Sequence, residues 1–253
     1  MGRIIAIANQ KGGVGKTTTT INLGASLALE NKKILIVDFD QQANATISLG
    51  IARENIKYDI VDVLKGMPVE DAILKTSVEN LHLIPASIRL AEAERILYDA
   101  YSKEYLLAKS LENIKDEYDF ILIDCPPSLG LAVDNALYAS DSVIVPVECG
   151  FYAYDALTQM IHKISEVQQI KKLDIEGILL TKLDNRNTFG YTIMEKVKFM
   201  FPNKTFKTII STSSHIQEAP MYGKTVIQFS FKRLKRISGI SERNFSQPVR
   251  SKI

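Results

Sequence analysis

Cysteine is scarce in this sequence, tryptophan is absent, and no apolar run is longer than a β-strand. Cys125 and Cys149 stand in no paired spacing, which excludes a disulfide framework and fits a reducing compartment. Nothing approaches the ~20 apolar residues needed to span a bilayer. The chain leads straight into a strand-like run, so no secretory leader is expected. Repeats and low-complexity linkers are missing as well, which suits one folded domain. These absences together predict a soluble, cytoplasmic protein.

Net charge is also small, +2 over 253 residues, but unevenly spread. Residues 232–253 hold seven Lys or Arg against the single Glu242, a surplus of +6, which leaves −4 on the 231 residues before them. An acidic body with a basic tail predicts an anionic surface as the tail's partner, either nucleic acid or lipid headgroups.

What the sequence does contain is a series of buried-strand runs separated by helical patterns. Strands are predicted near 4–8, 32–40, 81–84, 119–124, 142–147, 175–180 and 207–210. Helices are predicted near 17–29, 89–98, 102–114, 153–170 and 188–200. That alternation defines an α/β fold: a doubly wound, mostly parallel sheet with helices on both faces. Ligands of such sheets sit at the carboxyl ends of the strands. Three loops rich in glycine or acid fall there, at 9–17, 38–40 and 124–127.

The first of them reads NQKGGVGKTTTT from Asn9 to Thr20. Glycines at 12, 13 and 15 let successive N–H groups turn inward at an anion, and the following helix adds its positive end. Lys16 would reach the β- and γ-phosphates of a nucleotide, and the Thr17 hydroxyl would ligate Mg²⁺. Lys11 through Thr18 (Lys11, Gly12, Gly13, Val14, Gly15, Lys16, Thr17, Thr18) are therefore the candidate nucleotide-binding segment. The ordinary motif, G-x-x-x-x-G-K-[ST], is broken by Gln10; the loop fits the variant K-G-G-x-G-K-[ST]. Lys11 thus needs its own role. Reaching a nucleotide held by a second protomer is a natural one, as trans-acting arginines do.

Asp124 closes the apolar run FILID and is the candidate second metal partner, directly or through water. Asp38 and Asp40 flank Phe39, and strand alternation would put both carboxylates on one side. One could order the metal's water shell while the other orients the water that attacks the γ-phosphoryl.

KGGVGKTT is similar to the deviant Walker A signature of the ParA/MinD group of dimeric P-loop ATPases. The stretches QANATISLGI, VENLHLIPASIRLAEAE, DCPPSLGLAVDNAL and EAPMYGKTV resemble the Soj/ParA chromosome- or plasmid-partitioning branch. The resemblance implies an ATP- and Mg²⁺-dependent homodimer that binds nonspecific double-stranded DNA on the nucleoid. Lys11 would cross to the partner's ATP, and hydrolysis would be stimulated by a ParB-type centromere-binding protein. It assigns hydrolysis to Asp40 with Asp38 in support, and a DNA contact to Arg186. Adenine specificity is likewise implied only by the resemblance, because no base-reading motif such as N-K-x-D is found.

The chain departs from the family pattern in two places. Thr212 and His215 stand where the branch usually carries arginines, and Ser213 and Ser214 read as turn or cap residues. After Val226 the sequence no longer follows the family's final helix. The boundary is placed between an ATPase domain, 1–228, and a basic tail, 229–253. A helix there would gather Phe229, Leu234, Ile237 and Ile240 on one side, as membrane-associated MinD-like positioning ATPases use a C-terminal helix. An unstructured tail and a DNA contact are the other two readings.

Overall fold

The computed structural model describes residues 2–91, 102–184 and 188–230. Its frame is one eight-stranded sheet: β1 (Arg3–Ile7), β2 (Ile34–Asp38), β3 (Leu74–Lys75), β4 (Leu81–Ile84), β5 (Phe120–Asp124), β6 (Ser142–Glu148), β7 (Asp174–Leu183) and β8 (Thr205–Ser211). The strand order is β3-β4-β2-β5-β1-β6-β7-β8. Only the two-residue edge strand β3 runs antiparallel; the other described pairs are parallel.

The helices are α1 (Lys16–Leu29), α2 (Asn44–Ser48), α3 (Ile60–Leu64), α4 (Leu106–Leu111), α5 (Leu131–Ala139), α6 (Ala153–Gln168), α7 (Thr188–Met200) and α8 (Ser214–Glu218). Strand alternation divides the core between the two faces of the sheet. Ile5, Ile7, Ile34, Ile36 and Leu122 pack with Ile21, Ala25 and Ala28 of α1. Their strand neighbours Ile4, Ala6, Leu35, Val37, Ile121 and Ile123 join a larger cluster with α3 to α6. Both faces are covered, which is why these strands read as unbroken apolar runs. Helix α1 comes close to the sheet because it presents Gly24 there: an added Cβ would stand 3.0 Å from Ile36 Cδ1 and 3.3 Å from Leu81 Cδ1.

The predicted doubly wound sheet is present, with differences at its margins. β3 was not expected; two residues carry no periodicity. Helix α5 was also unexpected, since its Leu, Ala and Val residues do not stand out from the apolar strands around it. β7 runs longer than the predicted 175–180. The helix expected near 89–98 lies largely outside the described residues, as does the tail from 231 onward. Before it, the Val226 N–H donates to Asn22 Oδ1 (2.8 Å), and Phe229 stacks on Tyr222 with ring centroids 5.4 Å apart. Among the described residues no helix is long and apolar enough to cross a membrane.

Candidate functional site

The loop between β1 and α1 sits at the centre of the sheet's carboxyl edge. Gly13 (φ 74°) and Gly15 (φ 94°) adopt left-handed backbone, which a side chain would strain, so these two glycines set the curl. Lys16 opens α1 directly, and no side chain caps that terminus. Its first N–H groups are therefore available to an anion.

One side chain of the loop and one of β7 hold it in place. Asn9 Oδ1 accepts from the Lys11 N–H at 2.9 Å, while Asn9 Nδ2 donates to the Pro146 carbonyl of β6 at 2.7 Å. From β7, the Thr181 hydroxyl donates to the Val14 carbonyl at 2.8 Å. Lys16 is buried and donates to the Lys11 carbonyl at 3.1 Å. Burial lowers its pKa, opposed by Asp124, Cys125 and Asp40.

Asp38 and Asp124 end adjacent strands in register, both completely buried. Asp38 is tied to the short helix α2: its Oδ2 accepts from the Thr46 N–H (2.8 Å) and hydroxyl (2.7 Å). The Asp40 N–H approaches Asp38 Oδ1 at 3.3 Å, and Asp40 Oδ1 accepts from the Gln42 N–H at 2.9 Å. The two acids are thus linked through the Asp40 N–H, and both lie near enough to Asp124 for their charges to raise its pKa. Asp124 is held less. Its Oδ1 lies 3.3 Å from the Thr20 hydroxyl, and its Oδ2 has no hydrogen-bond partner.

Burial pushes the Asp38 carboxyl up to about 6. Asp124 rises well above the usual carboxylate range, chiefly through burial and then through Asp38, with the Thr17 hydroxyl opposing. An unpartnered buried carboxylate oxygen beside a threonine hydroxyl is a hard-oxygen donor pair that fits Mg²⁺. No three acidic, histidine or cysteine side chains converge into a cage among the described residues. Mg²⁺ shared with substrate phosphates and water needs no such cage.

Lys11 does not turn into the loop. Its ammonium pairs with Glu148 at the end of β6, 2.8 Å away, and lies 5.9 Å from the Tyr152 ring centroid. A hollow of about 600 Å³ opens beside it, lined by Gln10, Lys11, Pro127, Tyr152, Asp155 and Gln159 among others. A larger one, about 1050 Å³, lies away from the loop between α6 and α7, walled by Phe151, Phe189, Phe199 and Met200. It lacks the converging polar groups that a phosphate requires.

The structure thus brings together Lys11, Lys16, Thr17, Asp38, Asp40 and Asp124. Arg186 lies outside the described residues. Ser213 occupies the N-cap position of α8 without a side-chain capping bond. Both cysteines are free and buried. Sequence reasoning passed over Glu148 and Thr181. A lone glutamate after a strand gives no local signal. Thr181 begins T-K-L-D, one residue away from the N-K-x-D pattern that a strict match would demand.

A mononucleotide-type phosphate loop at the centre of a parallel sheet, with acids closing the adjacent strands, defines the P-loop class of α/β proteins. Comparison with known proteins narrows it. A family model described as AAA domain matches residues 2–176. The chain is 49% identical over 232 residues to the sporulation initiation inhibitor protein Soj of Bacillus subtilis, covering 90% of this chain and 92% of that protein. It is 42% identical to the chromosome partitioning protein ParA of Myxococcus xanthus, over 92% and 83% of the two chains. Among solved structures, cobyrinic acid a,c-diamide synthase from Mycobacterium smegmatis with bound ATP analog and magnesium superposes with a TM-score of 0.80 at 33% identity, covering 95% of this chain and 98% of that one. The chain belongs to the Soj/ParA family of partitioning ATPases.

Proposed function

We propose that the protein is a DNA-partitioning ATPase that cycles between an ATP-bound dimer on nonspecific DNA and a released ADP form. The observation that carries this reading is the division of labour between the two lysines. Lys16 fills the loop, whereas Lys11 is held at its rim by Glu148. A lysine at that rim is placed to meet a nucleotide approaching on a second copy.

In this reading Lys16 and the N–H groups at the start of α1 bind the β- and γ-phosphates of ATP. Thr17 and Asp124 hold Mg²⁺, which when bound supplies charge neutralisation at the transferred phosphoryl group. Asp40 orients the attacking water. Asp38, fastened to Thr46, fixes the turn that carries Asp40. Residues 1–228 form the ATPase unit, and the basic tail adds electrostatic contact with DNA. Arg186 contributes a phosphate contact, and a ParB-type partner accelerates turnover at the nucleoid.

The test is binding of full-length protein to nonspecific duplex DNA at fixed moderate salt, with ATP and then ADP. Tight binding with ATP alone is expected. Equal binding in both states would reduce DNA contact to an ungated electrostatic effect of the tail. In parallel, Lys11→Ala should bind nucleotide yet stay monomeric by light scattering; an ATP-dependent dimer in that variant would refute the role given to Lys11.

A further inference from the structure

Helix α2 is gripped at both ends. Its N-cap residue, Ala43 (φ 54°), makes no side-chain capping bond. The cap comes instead from Asp38, which accepts from the Thr46 N–H and hydroxyl. At the other end Gly50 (φ 77°) closes the helix, its N–H donating to the Ile47 carbonyl while the Ile51 N–H donates to Thr46. The turn Ala219–Tyr222 closes in the same way on Gly223 (φ 60°), with the Lys224 N–H donating back to the Ala219 carbonyl. The two glycines meet backbone to backbone. A Cβ on Gly223 would stand 2.6 Å from Gly50 Cα, and one on Gly50 would stand 3.0 Å from the Gly223 carbonyl oxygen. At about 7.5 Å long, α2 is a short, stiff link between the Asp38 carboxylate and the Gly223 turn.

The chain after Gly223 holds α1 as well. Thr225, which is buried, and Gln228 form a capping box. The Thr225 N–H donates to Gln228 Oε1 at 3.1 Å, and the Gln228 N–H to Thr225 Oγ1 at 3.3 Å. Gln228 Nε2 also reaches the Ser77 hydroxyl at 3.1 Å. Between them, the Val226 N–H donates to Asn22 Oδ1 of α1 at 2.8 Å. Asn22 Nδ2 in turn donates to the Thr18 carbonyl at 2.8 Å, within the candidate nucleotide-binding segment. Residues 223–228 therefore touch both the helix that carries Lys16 and Thr17 and the helix that Asp38 caps.

We propose that Gly223–Gln228 is a strap across the two halves of the nucleotide site, and that binding of Mg-ATP tightens it. This rests on the nucleotide reading given above. With phosphates bound in the loop, the first turn of α1 is fixed, and the Asn22 side chain with it. With the acids engaged by the same ligand, Asp38 and α2 are fixed too. The strap's two holds, Asn22 and Gly50, then keep one spacing, and the strap opens less often. Coupling of this kind is reciprocal, so an opened strap weakens nucleotide binding by the same factor. The basic tail begins where the strap ends, at a segment that reports the nucleotide state.

The test is hydrogen exchange of the full-length protein, alone and with saturating ATP and Mg²⁺, on the parent and on Asn22→Ala. In the parent, residues 223–229 should exchange about fivefold more slowly or better with Mg-ATP, alongside protection of residues 11–18. Edge strand β8 is the internal control; equal slowing there would mean general stabilisation and overturn the strap. Asn22→Ala deprives the Val226 N–H of its acceptor. Residues 11–18 should still be protected, while the slowing at 223–229 falls below about twofold. Slowing as large as in the parent would overturn the route through Asn22. If that variant does not fold, Gln228→Ala decides, since it loosens the strap away from the phosphate loop. It should bind Mg-ATP about two- to fivefold more weakly, and parental affinity would overturn the proposal. Unchanged exchange at 223–229 in a parent whose residues 11–18 are protected would sink the strap and leave the nucleotide reading standing. If neither segment is protected, the nucleotide reading falls and this inference with it.

Discussion

At the residue scale the site is a cluster of charges held apart from water. Asp124 is fully buried with one oxygen unpartnered, a state that costs the nucleotide-free fold. Asp124→Asn keeps the shape and removes the charge. It should raise the stability of the nucleotide-free protein by roughly 1–3 kcal/mol while abolishing Mg²⁺-dependent hydrolysis. Thermal melts with and without Mg-ATP check both halves, and a variant less stable than the parent would show that Asp124 is well satisfied as it stands. Asp38 makes a second prediction. Its folded pKa, about 6, exceeds the ordinary carboxylate value, so the folded chain binds this proton more tightly than the unfolded one. The stabilising contribution is fully present below the unfolded pKa and is lost as pH rises through about 6. The nucleotide-free protein should therefore melt higher at pH 5 than at pH 7, by a margin that shrinks in Asp38→Asn. An unchanged margin would remove Asp38 as the source.

At the element scale, α1 positions Lys16 and Thr17 only because it lies close against β2 and β4. Gly24 permits that approach. Gly24→Val would drive two methyl groups toward Ile36 and Leu81 and should destabilise the fold by roughly 1–3 kcal/mol, read from denaturant midpoints. Nucleotide affinity should fall with it as the helix shifts. A variant of parental stability would mean that the Ile36 and Leu81 side chains simply swing aside. This scale also shows what was legible in the sequence. The buried strands announced themselves as apolar runs, and the acids closing β2 and β5 followed from those runs. β3 and α5 did not, because one is too short to show a period and the other has Leu, Ala and Val that read like the apolar strands around it. The attachment of Asp38 to Thr46 was hidden for another reason: it depends on where the strand stops, and alternation assumes that it continues. Thr181 and Glu148 were hidden by distance, since nothing local marks a side chain whose partner lies in a loop far away in sequence.

At the scale of the whole molecule, the sheet has an acidic side of the loop and a side where Lys11 is parked. The Lys11–Glu148 pair is partly exposed, with 28% and 30% side-chain exposure, so its contribution is at most about 1 kcal/mol. Such a pair is readily exchanged. Glu148→Gln would release Lys11 and should tighten the proposed ATP-dependent dimer up to about fivefold, measured by sedimentation across a concentration series. A weaker dimer would instead show that Glu148 belongs to the contacts between protomers. The basic tail lies outside this balance and acts through charge alone in the proposed cycle, so its contribution should fade with added salt.

The hydrogen bond from Thr181 to the Val14 carbonyl spans 167 residues of sequence. The phosphate loop precedes its lateral supports, which come from β6 and β7, and among the described residues β1 itself pairs with β5 and β6. During synthesis the loop leaves the ribosome before the strands that support it. Until the chain has emerged past β7, the glycines have no frame to curl against. Competence to hold a nucleotide therefore arrives together with closure of the sheet around the loop.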